Sequence, residues 1–519
     1  MKQTNNLISY LDVGIASELE GRDRKIYRLL EMLPGFLTWV TLIGLILLSW
    51  LAPTTAAFFI IIFDLYWLIK TVYLSFHLRS NWKKIRHNMN LDWEERLVNL
   101  KYGHLWQMVI LPFYKEPFEV IDKTIEKILE SKWNHKERTI VVLGYEERAG
   151  EESSKTAYDI QEKYKDNFKY FSAIGHPEGL KGEIPGKGSN IAFVASKARE
   201  EILNKNNIHY EDVLVSAFDI DTQVYPQYFF CLTWNFLTCE KPFRSSFQPV
   251  PLYNNNIWDA PAFSRVVAVS GTFWQMIQQE RPERLATFSS HAINFKTLHE
   301  MGYWQKNIVS EDSRIFWKSL LYFDGDYSVV PLSYPVSLDA NLAPTFWQTV
   351  KNVYRQQRRW TGGVENVPYI LFGFLKNKNI SFKQKFHYAF IQLEGFWSLA
   401  TNSLIIFALG WLPLTLGGTA FNTTIISYNL PRMTRNIMNL AMTGLIMSSI
   451  ISMSLLPPRP VHRKKWARLS MVLQWALIPF TIPLFGSIPG VDSQTRLMLA
   501  KYHGFWVTPK YRKKTTARE

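Results

Sequence analysis

Val213-Leu214-Val215-Ser216-Ala217-Phe218-Asp219-Ile220-Asp221 is a short valine-rich run that ends in two aspartates one residue apart. The run has the length and β-branched content of a buried strand. Alternation along an extended chain predicts that both carboxylates leave on one face. The same kind of segment occurs upstream at Gln107–Leu111 and Thr139–Leu143. Amphipathic stretches that read as helices, Pro117–Lys132 and Ser189–Asn204, lie between these runs. Strand–helix alternation from Leu100 to Asn341 predicts a parallel α/β sheet with crossover helices. Ligands of such sheets sit beyond the carboxyl ends of the strands, which is where the two aspartates fall.

Outside this region the chain changes character. Phe36–Trp50 and Ala56–Phe76 are almost wholly apolar and separated by a turn at Pro53, so they read as a hairpin of membrane spans. Arg22, Arg24, Lys25 and Arg28 precede the hairpin, and Arg79, Lys83, Lys84 and Arg86 follow it. Both flanks are therefore expected on the cytosolic side. No small-residue cleavage site follows the first run, so it is expected to remain as an anchor. Lys70, near a helix end, is expected to snorkel, and Asp64 to make a buried contact between helices.

Apolar character returns at His387–Leu416, Asn436–Leu456 and Trp466–Ile488, the last interrupted by Pro479 and Pro483. Basic residues stand on both sides of this last segment, so a non-crossing path is expected for it. Pro344–Trp360 and Val364–Leu375 mix aromatic and basic residues as helices on a membrane surface do.

With 519 residues the chain has room for a membrane part and a full soluble domain. Its formal charge of +15 gathers beside apolar segments, around Arg463 and Arg468 and from Lys510 to Arg518. That pattern suits an anionic leaflet, and no basic helix or RNA-binding signature supports a nucleic-acid partner. Cys231 and Cys239 have neither CxxC spacing nor histidine neighbours, so they read as reduced structural thiols. The 19 tryptophans suit both membrane interfaces and sugar-binding clefts, and do not choose between them.

Three short motifs carry chemistry. Asp219 and Asp221 can hold a hard divalent cation against a diphosphate, although acidic pairs at strand ends are often solvated turns. Ser310-Glu311-Asp312, ahead of the helix-like Ser313–Tyr322, is either a helix start or a carboxylate able to deprotonate a hydroxyl. Gln356-Gln357-Arg358-Arg359-Trp360 is either a membrane-surface helix or a platform, with indole against a sugar and guanidinium against phosphate.

Taken together, in this order and between paired spans, DxD, ED and QxxRW resemble the processive family-2 glycosyltransferases, the group containing cellulose and hyaluronan synthases. The resemblance runs from Gln107 to Trp360. It implies an α/β, GT-A-like nucleotide-sugar-binding domain, residues 77–343, inserted between transmembrane α-helices. Around it would lie a cytosolic segment 1–35, a hairpin 36–76, interfacial helices 344–380, a membrane region 381–488 and a basic cytosolic tail 489–519.

Further residues match the group's pattern. Val109 to Pro112, then Tyr114, Lys115 and Glu116, resemble its first strand and nucleotide-contacting loop. Gly186-Lys187-Gly188 is similar to its lysine segment, and Val269-Ser270-Gly271-Thr272 loosely to a segment near the acceptor. One departure is clear. Where the group presents an aspartate after its second strand, this chain has Glu146-Glu147, which leaves the donor base open.

The resemblance assigns donor binding to Pro112, Glu116, Glu146, Glu147, Lys187 and Asp219, and metal binding (magnesium or manganese) to Asp221 with Asp219. It makes Asp312 the base, and gives the acceptor and diphosphate to Glu311, Gln356, Arg359 and Trp360. The implied activity is inverting, metal-dependent hexosyl transfer from a nucleotide sugar, in the first instance a UDP-sugar, to a polysaccharide or lipid-linked acceptor. A bacterial inner or plasma membrane is the implied setting. Ceramide-type lipid glycosyltransferases carry a similar QxxRW, so processivity stays open. A catalytically dead paralogue also stays open at Glu146-Glu147. A membrane transporter with a regulatory domain would concentrate polar residues in the spans, and the opposite distribution is present.

Overall fold

The computed structural model describes residues 9–133, 135–461, 463, 466–502 and 504–512. Two long helices open it, α1 (Gly21–Leu51) and α2 (Pro53–Asn90). Ala52 alone separates them, and Pro53 sits at the first position of α2, where its missing N–H costs nothing. Among the described residues three helical segments are long and apolar enough to cross a membrane: α1, α2 and the broken run Ala467–Met498. A fourth arises if Phe382–Phe407 and Leu409–Leu416, bent by 48°, form one span. Ala467–Met498 thus has the length to cross, where a non-crossing path was expected. Lys464, Lys465 and residues 513–519, part of the basic clusters, lie outside the described residues.

Two charged groups in α2 find partners on other helices, as an apolar surround favours. Asp64 is buried and accepts from Thr434 Oγ1 at 2.9 Å, the expected contact between helices. Lys70 does not snorkel. It forms an ion pair with Glu394 on the helix Phe382–Phe407 and lies over the Trp67 ring.

Among the described residues the α/β domain holds one eight-stranded sheet. Its strands are β1 (Trp106–Phe113), β2 (Thr139–Glu146), β3 (Tyr170–His176), β4 (Val213–Ala217), β5 (Gln223–Val224), β6 (Ser245–Leu252), β7 (Ala292–Asn294) and β8 (Ser328–Ser337). Their order is β3-β2-β1-β4-β7-β6-β8-β5. The first four pair in parallel, as expected. Beyond them the sheet is mixed, which corrects the all-parallel expectation: β7 runs antiparallel to β4 and β6, and β5 antiparallel to β8. No crossover helix separates β4 from β5, so nothing obliges that half to stay parallel.

Alternation along the central strands builds the two cores. Val109, Leu111, Val141, Leu143 and Leu214 face one way, and Met108, Ile110, Ile140, Val142 and Val215 the other. The first layer is closed by Phe118–Leu129, Glu151–Tyr164 and Tyr228–Thr238, the second by Lys187–Ala198 and Glu311–Tyr322. Buried positions in Phe118–Leu129 recur as Val120, Ile121, Thr124, Ile125 and Ile128, a helical stripe aimed at the sheet.

Of the two helices expected on a membrane surface, Phe346–Thr361 is amphipathic, with Phe346 and Trp347 exposed. Asn366–Lys376 departs from that expectation. Its residues from Asn366 to Ile370 are buried against the α/β domain and the N-terminal segment, and Tyr369 donates to the Leu11 carbonyl. Val367, Tyr369, Ile370, Phe372 and Phe374 are core, while Leu375 stays exposed.

Gly144 marks a close approach between β2 and the helix Lys187–Ala198. A Cβ there would stand 2.4 Å from Asn190 Oδ1 and 2.7 Å from Val194 Cγ2. Gly144→Ala is therefore expected to cost about 1–3 kcal/mol through overpacking. A lower melting temperature of the detergent-solubilised protein checks this; an unchanged one would mean that the helix can shift freely.

Candidate active site

The ends of β1, β2 and β4 open into one cavity. Pro112 lies near the end of β1 and Tyr114 just beyond it, and Glu116 folds back so that its carboxylate accepts from the N–H of Tyr114 (2.7 Å) and Lys115 (3.1 Å). Burial nevertheless raises the Glu116 carboxyl above its usual range. At the end of β2, Glu146 accepts from Arg148 Nε at 2.9 Å and Asn190 Nδ2 at 3.1 Å, with His176 Nδ1 3.3 Å away. Burial opposes its ionisation, but His176, Arg148 and Asn190 outweigh that and hold the carboxyl below its usual range. Glu147, the next residue, is exposed and does not line the cavity.

Asp219 and Asp221 both reach the cavity, by a different device from the one expected. β4 ends at Ala217, and a turn in which Thr222 N donates to Asp219 O carries the two carboxylates inward. Lys187 lies between the motifs. Its Nζ is 2.7 Å from Asp219 Oδ1 and 2.9 and 3.0 Å from the two oxygens of Asp312. Burial works against its charge, but Asp219, Asp312 and Glu311 prevail and hold the ammonium above its ordinary range. Asp219 also accepts from Ser289 Oγ at 2.6 Å. Burial alone would raise the Asp219 carboxyl, yet Lys187 and Lys510 bring it well below the usual range.

The glycines beside Lys187 serve close approach rather than flexibility. A Cβ on Gly186 would meet the Phe505 ring at 2.7 Å, and one on Gly188 would meet Gln305 O and Glu311 Cβ at 2.9 Å.

Glu311 and Asp312 open the helix Glu311–Tyr322. Glu311 is 2% exposed, and its Oε2 is buried with no hydrogen-bond partner. Burial, then the neighbouring Asp312, push its carboxyl up to about 8, with Lys187 and Arg359 opposing. Opposite stands the end of the helix Phe346–Thr361. Gln356 accepts from Asn341 Nδ2 at 3.3 Å, and Arg359 Nε is buried without a partner. Trp360 lies 5.7 Å from the Tyr253 ring and 6.0 Å from Phe288. Gly271 reaches this wall too, since its added Cβ would be 3.9 Å from Trp360.

The fourth wall was not legible from sequence. The C-terminal segment, expected as a basic tail, enters the cavity through Phe505, Val507, Thr508 and Lys510. Lys510 Nζ stands 2.6 Å from Asp221 Oδ2, and Arg512 binds Asp339 at 2.8 and 3.0 Å. Arg359 lies over the Phe505 ring. Phe505-Trp506-Val507 is too aromatic and β-branched for a solvated tail, and that is the available signal.

The carboxylate pair fits a hard divalent ion. Asp221 Oδ1 is buried without a partner beside Asp219. Among the described residues no group of three or more His, Cys, Asp or Glu forms a metal cage, so an ion held here would need other oxygen ligands to complete its shell, as magnesium and manganese allow.

Neither a known family nor a curated protein matches the chain. Among solved structures it is similar to a mannosyltransferase from Pyrobaculum calidifontis in complex with GDP-Man and Mn2+, at 13% identity and a TM-score of 0.42, over 74% of this chain and 99% of that one. It is also similar to S. aureus TarS 1-349, at 10% identity and a TM-score of 0.35, over 67% and 91%, and to the same protein with UDP, at 9% and 0.34.

Lys510 holds an oxygen that a cation would otherwise use. Lys510→Met is expected to tighten Mn2+ binding about tenfold, by removing a neighbouring like charge. Manganese titration followed by electron paramagnetic resonance checks this; unchanged affinity would place the ion away from Asp221.

Proposed function

We propose that the chain is a membrane-integrated inverting glycosyltransferase that moves a hexosyl group from a nucleotide sugar to a polysaccharide or lipid-linked acceptor on the cytosolic side. The observation that carries this reading is Lys187, one buried ammonium shared by the Asp219 carboxylate and the Asp312 carboxylate. A cation placed there joins a diphosphate-binding corner to a proton-accepting one.

The donor diphosphate would lie along Asp219, Asp221 and Lys187, with its base toward Tyr114 and Glu146. A magnesium or manganese ion held by Asp221 and Asp219 would supply charge neutralisation to the diphosphate. Phosphate oxygens are strong partners for a lysine ammonium, so donor binding draws Lys187 from Asp312 and frees that carboxylate. Asp312 then takes the proton of an acceptor hydroxyl. The oxygen attacks the anomeric carbon from the face opposite the diphosphate, the new glycosidic bond forms, and the nucleoside diphosphate leaves with the bonding pair. Arg359, whose Nε has no partner, would meet the departing phosphate, and Trp360 with Tyr253 would offer apolar faces to the acceptor sugar.

Glu311 belongs to the same account. Its carboxyl is neutral below about pH 8. As pH rises through that value it ionises, and a further negative charge beside the diphosphate opposes the donor.

Two outcomes are expected. Asp312→Asn reduces turnover by about 10²–10⁴, the usual worth of a positioned base, and leaves nucleotide binding intact. The assay uses purified protein in lipid with a panel of labelled nucleotide sugars, with and without magnesium or manganese, and follows nucleotide release and product size. Release at wild-type rate by Asp312→Asn would remove it as the base, while a small lipid-extractable product would assign a lipid acceptor. Donor affinity of the unmodified protein falls as pH passes about 8, and Glu311→Gln abolishes that fall. Titrations of nucleotide at pH 7 and pH 9 measure it.

A further inference from the structure

The helix that carries Asp312 is held at its first turn from outside. Ser310, at its N-cap, does not cap it: the hydroxyl makes no capping bond and instead donates to Glu365 Oε1 at 2.6 Å. The same carboxylate oxygen accepts from Ser310 N at 2.9 Å and Val309 N at 3.1 Å. Three donors from the two residues before Glu311-Asp312 therefore converge on one oxygen. Charge-assisted bonds of this kind are the stronger class, and a carboxylate at a helix N-terminus also opposes the positive end of the dipole.

Asn366 continues the clasp. Its Nδ2 donates to Ser313 Oγ at 2.9 Å, and its Oδ1 accepts from Arg314 Nε at 2.6 Å. Arg314 is fully buried and also donates to the Glu365 carbonyl, to Gln305 Oε1 and to the Val13 carbonyl. Residues on both sides of Asp312 are thus fixed by two consecutive residues of another segment.

That segment is the continuation of the acceptor wall. Glu365 ends the short 3-10 turn Gly362–Glu365, which follows directly on Arg359, Trp360 and Thr361. Gly363 lies against it, since an added Cβ would be 4.0 Å from Ser310 Cβ. The distance between the carboxylate at 312 and the indole at 360 is therefore set by a rigid link a few residues long.

The geometry points to Glu365 as a positioning residue that sets Asp312 against the acceptor held at Trp360. This rests on the reading of Asp312 as the base. Glu365 touches neither reactant; it fixes the backbone that presents Asp312, so its loss misplaces the base without altering the donor corner. Misplacement of a reacting group by about 1 Å is enough to cost on the order of 10²-fold in rate.

The test compares Glu365→Ala, Glu365→Gln and Asp312→Asn with the unmodified protein in one nucleotide-release assay, with nucleotide affinity titrated separately. Expected is a fall in kcat of about 10- to 100-fold for Glu365→Ala with nucleotide affinity within twofold. Glu365→Gln, whose amide oxygen still accepts from Val309 and Ser310, should recover most of the rate. A kcat of Glu365→Ala within twofold of the unmodified protein overturns the inference, as does loss of nucleotide affinity in proportion to rate, which marks a merely structural role. Equal failure of Glu365→Gln and Glu365→Ala overturns it as well. Full activity of Asp312→Asn, or no release from any donor by the unmodified protein, fells the base assignment itself and this inference with it.

Discussion

A lysine ammonium buried between two carboxylates organises this molecule. Taking any of these charges out of water is costly, and the arrangement holds because Lys187 faces Asp219 and Asp312 at hydrogen-bond distance. Removing one partner would strand the others. The start of the helix Lys187–Ala198, the turn after β4 and the first turn of Glu311–Tyr322 are therefore fixed relative to one another. The flanking glycines follow from this, because Phe505 and Glu311 crowd the backbone that carries the lysine.

A second set of interactions ties that centre to the long helices. Asp492 meets Arg358 and Arg496, and Ser493 shares a hydrogen bond with Thr361, so the C-terminal helix Ile488–Met498 braces the end of the helix Phe346–Thr361. Gln494 binds Thr38 on α1 at 2.6 Å. After that helix the chain turns, Tyr502 donates to the buried Glu31 of α1, and Arg28 binds the Leu497 and Met498 carbonyls. Only then does the chain reach the cavity at Phe505. The wall formed by Lys510 is thus hung from the first helix.

How much could be read in advance differs between levels. The parallel half of the sheet was legible in Gln107–Leu111, Thr139–Leu143 and Val213–Phe218, because strands buried on both faces must be apolar throughout. The mixed half was not. β5 and β7 have two and three residues, too few for a period, and their pairing is set by β6 and β8. The long helices were legible as apolar runs, but not their reach: α2 extends to Asn90, well past Phe76, because its polar end packs on the α/β domain through Asn81. Lys70 was misjudged for the same reason, its partner Glu394 lying more than three hundred residues away.

Residue type and local spacing determined the chemistry available to this protein. They marked a pair of carboxylates after a strand, an acidic helix start, and an arginine beside a tryptophan, since each needs only neighbours in the chain. They also separated apolar helices from a polar α/β domain. The tertiary structure decided which groups meet. It put Lys187 between Asp219 and Asp312, brought Lys510 onto Asp221, turned Glu147 outward while keeping Glu146 in, and set Glu365 against Ser310. Each of these except the Glu147 turn joins residues dozens to hundreds of positions apart. Hydrogen bonds and ion pairs act over a few ångströms of space, and only folding brings distant residues that close.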